Sequence, residues 1–240
     1  MLKVFVLPIL NDNYVPVIAD LNTGKCVIVD PGVATPVSAF LLAQNLTPIA
    51  LLLTHHHNDH IGGAEEIRRE FGVKTYAPLL ENELIPFADV YVSEGEKIQA
   101  LGFDFEVLQL TGHTRGHIGY FAPSRGWLFS GDVLFSMGCG RVFEGTMAQA
   151  YSSLRKLRAL PAGVQVYCAH EYTETNIKFY QEYLPASAEV AEYAKRVRSL
   201  RARGEFSVPF SLDEEKCLNP FLAATSVEEF TKLRLLRNGF

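Results

Sequence analysis

The sequence predicts a mixed α/β fold in which short strands and a few helices build sheets packed between helices, with a helical C-terminal region appended. Three observations carry this reading. Apolar runs of three to seven residues recur through residues 1–170, punctuated by glycine and proline. Two stretches in the same part have helical periodicity and clear stop signals. Beyond His170 the composition changes: residues 171–240 hold 21 of the 49 charged residues but only two of the 18 glycines, Gly204 and Gly239. A length of 240 residues accommodates one large domain and a smaller appendage, so the expected division is 1–170 and 171–240.

In chain order, buried strands are expected at Lys3–Pro8, Cys26–Val29, Ile49–Leu53, Asp104–Leu110, Trp127–Phe129 and Gln165–Cys168, with NDNYVPVIAD (11–20) reading as a turn then a strand. Ala64–Phe71 reads as a helix ended by Gly72, and Met147–Leu160 as one ended by Pro161. After His170, apolar residues recur at three- and four-residue intervals between charges, and Pro185 separates two predicted helices. VIVDPG (27–32) and LFSGDV (128–133) are faintly alike, each a strand ending near an aspartate.

A hydrophobic share of 48% with 20% charged residues places the chain among globular proteins rather than disordered ones. The net charge of −5 argues against a nucleic-acid partner, which selects a basic face. No apolar run approaches the roughly 20 residues of a membrane span. The N-terminal segment MLKVFVLPIL is broken by Pro8 and does not read as a signal peptide. The four cysteines, Cys26, Cys139, Cys168 and Cys217, are scattered, as expected of reduced thiols in a cytoplasmic setting, and a monomer is expected.

The segment LLLTHHHNDHIGG (51–63) carries the chemistry. Four histidines and an aspartate occupy positions 55–60 in a chain with only seven histidines, a density that packing does not explain. Imidazole and carboxylate are ligands of zinc, iron and manganese. In an extended loop residues two apart point the same way, so His55 and His57 can grip one ion, while Asp59 and His60, at the turn into a helix, face a second. His56 points away and reads as a packing residue. Further donors follow three other predicted strands: His113 in LTGHTRGH, Asp132 in SGDVLF and His170 in CAHEYT. His117 is the weaker candidate of its segment. Five neutral histidines and two aspartates would leave two divalent cations a net charge of about +2, enough to ionise a held water near neutral pH. Ser130, Ser136 and Cys139 lack a free base, so hydrolysis of an ester, thioester, lactam or phosphoester without a covalent intermediate is expected.

These motifs resemble the metallo-β-lactamase superfamily pattern, H-x-H-x-D-H followed by distant His, Asp and His. The resemblance implies an αββα sandwich with a C-terminal helical domain. It also implies that His55, His57 and His113 bind one metal, that Asp59, His60 and His170 bind the other, and that Asp132 bridges them. Zinc is the expected metal, with iron or manganese as alternatives. Three further segments, GCGRVFEGT (138–146), AHEYT (169–173) and the tail from NPF to FTKLRLLRNGF (219–240), resemble the glyoxalase II family, the hydroxyacylglutathione hydrolases. This likeness implies a catalytic part and a helical glutathione-binding part. The implied reaction is hydrolysis of S-(2-hydroxyacyl)glutathione, with S-lactoylglutathione giving glutathione and D-lactate, the second step of methylglyoxal detoxification. Substrate contacts would come from Arg141, Phe143, Tyr172, Arg234 and Arg237.

Glutathione carries two carboxylates and an ammonium, which guanidinium groups and a phenol can hold by charge-assisted hydrogen bonds. Arg234 and Arg237 lie one helical turn apart. Alternatively they are solvated charges on a terminal amphipathic helix with Leu233, Leu235 and Leu236 inside. Phe143 stands where many relatives have tyrosine and Arg237 where lysine is usual, so substrate affinity or acyl range is open to change. An iron-dependent glutathione persulfide dioxygenase of the same fold is the rival activity, and a closed structural zinc site the rival outside catalysis.

Overall fold

The structure, a computed structural model, describes all residues from Met1 to Phe240. Two six-stranded sheets face each other. The first is built in sequence order from β1 (Leu2–Ile9), β2 (Asn13–Asp20), β3 (Lys25–Val29), β4 (Thr47–Leu52), β5 (Lys74–Pro78) and β6 (Val90–Val92). β1 to β3 pair antiparallel and β3 to β6 parallel. The second comprises β7 (Lys97–Ala100), β8 (Phe103–Gln109), β9 (Ile118–Ala122), β10 (Trp127–Gly131), β13 (Gln165–Cys168) and β14 (Phe210–Ser211), in the order β14-β13-β10-β9-β8-β7. A small hairpin, β11 (Leu134–Phe135) and β12 (Gly138–Cys139), stands beside it.

Strand alternation decides the layering. On β3, Val27 and Val29 face the second sheet and join the same core as Phe105, Tyr120 and Phe129. Their neighbours Cys26 and Ile28 face the other way, onto Val37 and Leu41 of α1 (Ala34–Gln44) and Ile67 of α3 (Ala64–Phe71). A single turn, α2 (Asn58–Ile61), precedes α3. The outer face of the second sheet is covered by α4 (Met147–Arg158), whose Leu154 and Leu157 reach the main core. The architecture is the αββα sandwich.

The predicted strands are present within one or two residues of their expected ends. Ala64–Phe71 is a helix, closed by Gly72 in the left-handed conformation at φ 62°. α4 begins at Met147, where Thr146 and Gln149 exchange capping hydrogen bonds. Helix α1 was not expected. Its residues ATPVSAFLLAQ lack a capping side chain and a polar face, so only burial of Ala34, Val37 and Leu41 against the sheet marks it.

The C-terminal part holds α5 (Thr173–Tyr183) and α6 (Ala188–Ala202) on either side of Pro185, then α7 (Leu212–Leu218), α8 (Pro220–Ala223) and α9 (Val227–Asn238). No helix is long and apolar enough to cross a membrane. This part packs tightly on the rest: β14 extends the second sheet, and Phe221 and Phe230 enter the main core. Its junction with the β11–β12 hairpin is polar. The buried carboxylate of Glu215 accepts hydrogen bonds from Ser136 Oγ (2.9 Å), Met137 N (2.8 Å) and Asn219 Nδ2 (2.8 Å).

Burial raises the Glu215 carboxyl from 4.5 to about 7, against those three donors. A raised carboxyl pKa contributes stability that is full below about 4.5 and lost as pH climbs through about 7. Glu215→Gln cannot ionise. The melting temperature of Glu215→Gln relative to the unaltered chain should therefore rise between pH 5 and 7 and then level off. A difference independent of pH in thermal melts would show that Glu215 does not titrate there.

Candidate metal centre and adjoining cleft

All seven residues singled out as ligand candidates converge at one rim of the sandwich, where β4, β8, β10 and β13 deliver their loops. His55 and His57 follow β4, Asp59 and His60 sit on α2, His113 follows β8, Asp132 follows β10 and His170 follows β13. The ligand atoms form two groups. In the first, His57 Nδ1 lies 3.0 Å from His55 Nε2 and 3.0 Å from His113 Nε2. In the second, Asp59 Oδ2 lies 3.5 Å from both His60 Nε2 and His170 Nε2. The two groups meet at Asp132. Its Oδ2 is 3.4 Å from His113 Nε2, while its Oδ1 is 3.5 Å from His60 Nε2 and 3.3 Å from His170 Nε2.

The outer nitrogens explain why the inner ones can meet. Thr54 Oγ1 donates to Asp30 Oδ2 at 2.6 Å, so it accepts from His55 Nδ1 at 3.0 Å. His60 Nδ1 donates to Asp30 Oδ2 at 3.0 Å, His113 Nδ1 to the Arg141 carbonyl at 2.8 Å, and His170 Nδ1 to Asp12 Oδ1 at 2.9 Å. Each neutral imidazole has one N–H, and these four spend it outward, which aims the Nε2 lone pair inward. Lone pairs about 3 Å apart repel unless a cation lies between them. Nitrogens bound tetrahedrally at about 2.0–2.1 Å sit roughly 3.3 Å apart, close to the spacing seen. His60 Nε2 and Asp132 Oδ1 are also buried with no hydrogen-bond partner. The donor set fits a pair of cations.

The charges agree with that fit. Burial disfavours charge on His60 and His170, but Asp132 beside both outweighs it and raises them above the ordinary imidazole pKa. Burial would likewise raise Asp132, yet His60 and His170 hold it well below the usual carboxylate range. Burial lowers His55, His57 and His113.

Two glycines let the backbone pass this close. Gly131 takes φ 51°, and a Cβ there would lie 2.7 Å from Thr54 Oγ1 and His117 Nε2. A Cβ on Gly140 would fall 1.8 Å from the Asp132 carbonyl. His117 stays outside the ligand groups: its Nε2 accepts from Asp132 N at 3.1 Å and its ring stacks on His55. His56 points away, between Glu81 Oε2 (2.9 Å) and Glu144 Oε1 (3.1 Å).

A cleft of about 260 Å³ opens beside the centre, with His113 and Asp132 in its wall. Arg141, Phe143, Tyr172, Arg234 and Arg237 all line it. Tyr172 stacks flat on the His170 ring, centroids 4.8 Å apart. Arg234 shares the buried face of α9 with Phe230, and Leu233 packs half-buried against the main core, whereas Leu235 and Leu236 are exposed. Arg234 Nη1 donates to the Cys139 carbonyl at 2.7 Å. Arg237 reaches Asn176 Oδ1 at 3.3 Å, and burial and Arg234 together depress its pKa. None of the three arginines pairs with a carboxylate. A concentration of uncompensated positive charge suits an anionic ligand.

The anchors Asp12, Asn13 and Asp30 were missed in the sequence. Asn13 Nδ2 donates to Asp59 Oδ2 at 2.9 Å. The available signal was positional: Asp30 ends the strand VIV, as Asp132 follows its own strand, and both now face His60.

Residues 14–170 match the model of the metallo-β-lactamase superfamily, and residues 171–240 match that of the hydroxyacylglutathione hydrolase C-terminus. A hydroxyacylglutathione hydrolase of Bdellovibrio bacteriovorus is 46% identical, over 97% of this chain and 96% of its own. One of Pseudomonas fluorescens is 44% identical, over 95% and 89%. Among solved structures, the B3 metallo-β-lactamase BLEG-1 superposes with a TM-score of 0.72 at 24% identity, covering 92% of this chain and all of that one, a likeness of fold.

Asp30→Ala removes the acceptor of His60 Nδ1, Thr54 N and Thr54 Oγ1 together. Affinity for a divalent cation, measured by competition with a chromophoric chelator, should fall about 10- to 100-fold. Unchanged affinity would mean that Asp30 does not orient the ligands.

Proposed function

Because the chain belongs to the hydroxyacylglutathione hydrolase, or glyoxalase II, family of the metallo-β-lactamase superfamily, we propose that it hydrolyses S-(2-hydroxyacyl)glutathione, S-lactoylglutathione above all, to glutathione and a 2-hydroxy acid. The observation that carries this reading is one cleft in which three uncompensated guanidinium groups and a tyrosine adjoin the paired ligand groups. The two carboxylates of glutathione answer those cations.

In this reading His55, His57 and His113 hold one divalent ion and Asp59, His60 and His170 the other, with Asp132 shared; zinc is our first choice of metal. Two cations held there would supply an ionised water, polarise the thioester carbonyl and take up the charge of the departing thiolate. The chain's own part is to position and bind. Outward hydrogen bonds fix the imidazole tautomers. Asn13 and His60 keep Asp59 ionised, although burial opposes it. Arg141, Tyr172, Arg234 and Arg237 would seat the glutathione arm so that its thioester lies against Asp132. Residues 1–170 thus carry the chemistry and 171–240 complete the substrate cleft. A monomer belongs to the same reading, because the proposed site calls for no residue from a second copy. Four unpaired cysteines and a thiol product fit the reducing cytoplasm.

The hydrolase is favoured over a persulfide dioxygenase because the C-terminal match spans all of residues 171–240 and because a single-iron site would leave one of the two ligand groups without a cation. The decisive assay is cleavage of S-lactoylglutathione beside a lactam and a lactone, with metal analysis of the same sample. Thioester hydrolysis, about two metal equivalents and loss of activity on chelation are expected. Oxygen uptake with glutathione persulfide and no thioester cleavage would reverse the choice.

Asp132→Ala should lower kcat at least about a thousand-fold, since one carboxylate serves both ligand groups. Full turnover would contradict the site. Arg237→Ala should raise KM for S-lactoylglutathione about ten-fold with kcat within about three-fold, the pattern of a contact remote from the reacting carbon. An unchanged KM would place that side chain outside the substrate.

A further inference from the structure

A thioester has two arms, and the cleft described above accounts for one. Of twelve large apolar side chains that stand exposed, four line one hollow of about 720 Å³: Leu79, Leu80, Leu84 and Phe143. Leu80, Leu84 and Phe143 are 64%, 54% and 59% exposed. Scattered exposed leucines need no explanation, but a cluster in a concavity marks a binding surface.

The hollow is continuous with the site through Phe143, which also lines the cationic cleft. The Phe143 ring meets the His57 ring edge-on at 5.9 Å and the His113 ring at 5.2 Å. It therefore stands where the two arms of a substrate held at the centre would diverge. The polar lining of the hollow is Glu81, Asn82, Glu83, Arg115 and Glu144, of which Glu81, Arg115 and Glu144 are engaged with neighbours. Glu144 receives the Arg115 amide and faces His56 Nε2, and Arg115 Nε donates to the Glu144 carbonyl. The apolar segment is held firmly in place. Glu81, buried beneath it, accepts from Thr114 Oγ1, from Gly116 N at 3.1 Å and from His56 at 2.9 Å, which ties residues 79–84 to both histidine loops.

We propose that this hollow is the acyl subsite, and that the protein takes 2-hydroxyacyl thioesters whose acyl chains are longer and more apolar than lactoyl. The proposal rests on the thioester hydrolase reading. A longer chain that runs past the ring of Phe143, which offers no polar atom, meets Leu80 and Leu84. The opposite cleft, lined by arginines, is unsuited to such a chain.

The test compares kcat/KM for S-(2-hydroxyoctanoyl)glutathione and S-lactoylglutathione in the metal-loaded enzyme and in two double variants. Leu80→Gln/Leu84→Gln removes apolarity without adding charge, and both positions are exposed enough to leave folding intact. Apolar contacts in a pocket discriminate about 10-fold or more per methylene, and an open hollow less. The octanoyl-to-lactoyl ratio should fall at least about five-fold in the glutamine variant and stay within about two-fold of the unaltered chain in Leu80→Met/Leu84→Met. An unchanged ratio in the glutamine variant, with lactoyl hydrolysis retained, overturns the subsite alone. Failure of the unaltered enzyme on both thioesters overturns the hydrolase reading, and the subsite with it.

Discussion

The arrangement that governs the rest of the molecule is a set of imidazole lone pairs turned toward one another. Four rings spend their single N–H on Thr54, Asp30, the Arg141 carbonyl and Asp12, and so present bare nitrogen inward. Inward-facing lone pairs and a buried carboxylate oxygen without a partner are costly in isolation. They become favourable around cations. The anchors come from stretches as remote as residues 12 and 141, so the centre can assemble only once the two sheets have closed.

The sandwich meets that requirement by delivering loops from both sheets to one rim. β4 of the first sheet leads into the histidine run at 55–60, while β8, β10 and β13 of the second lead to His113, Asp132 and His170. Close approach then becomes a backbone problem, solved where side chains are absent. Gly131 and Gly140 flank Asp132 at positions where a Cβ would strike Thr54, His117 or the Asp132 carbonyl. The C-terminal helices close the cleft on the opposite side, clamped by Glu215 and by Arg234 on the Cys139 carbonyl.

Much of this was legible from the chain alone, for definable reasons. Strands with alternating faces and helices with capping signals, such as β13 and α3, announce themselves locally. Helix α1 does not, because its stability comes from the sheet beneath it rather than from its own residues. The ligand candidates were visible as a dense local motif plus strand-end residues, and the structure gathers all seven. Asp12, Asn13 and Asp30 escaped notice because a single acidic or amide residue in a turn has a local explanation, and only the fold reveals which imidazole it holds. The α9 arginines illustrate the same point. Periodicity allows Leu233, Leu235 and Leu236 as the inner side, and Leu233 does pack against the main core, but Arg234 is buried as well because the Cys139 carbonyl and the face of Phe221, 5.4 Å away, receive its guanidinium.

The two ligand groups are chemically unequal, and the inequality follows from their anchors. His55 and His113 lean on neutral oxygens, a threonine hydroxyl and a peptide carbonyl. His60 and His170 lean on the carboxylates Asp30 and Asp12. A carboxylate behind an imidazole raises its basicity and so its strength as a donor. The second group also includes Asp59, which the first lacks. An ion held by Asp59, His60 and His170 therefore faces a more anionic, harder set than one held by His55, His57 and His113. With cations in both groups, such a gradient would polarise whatever lies between them, and Asp132, with one oxygen toward each group, would lie along it.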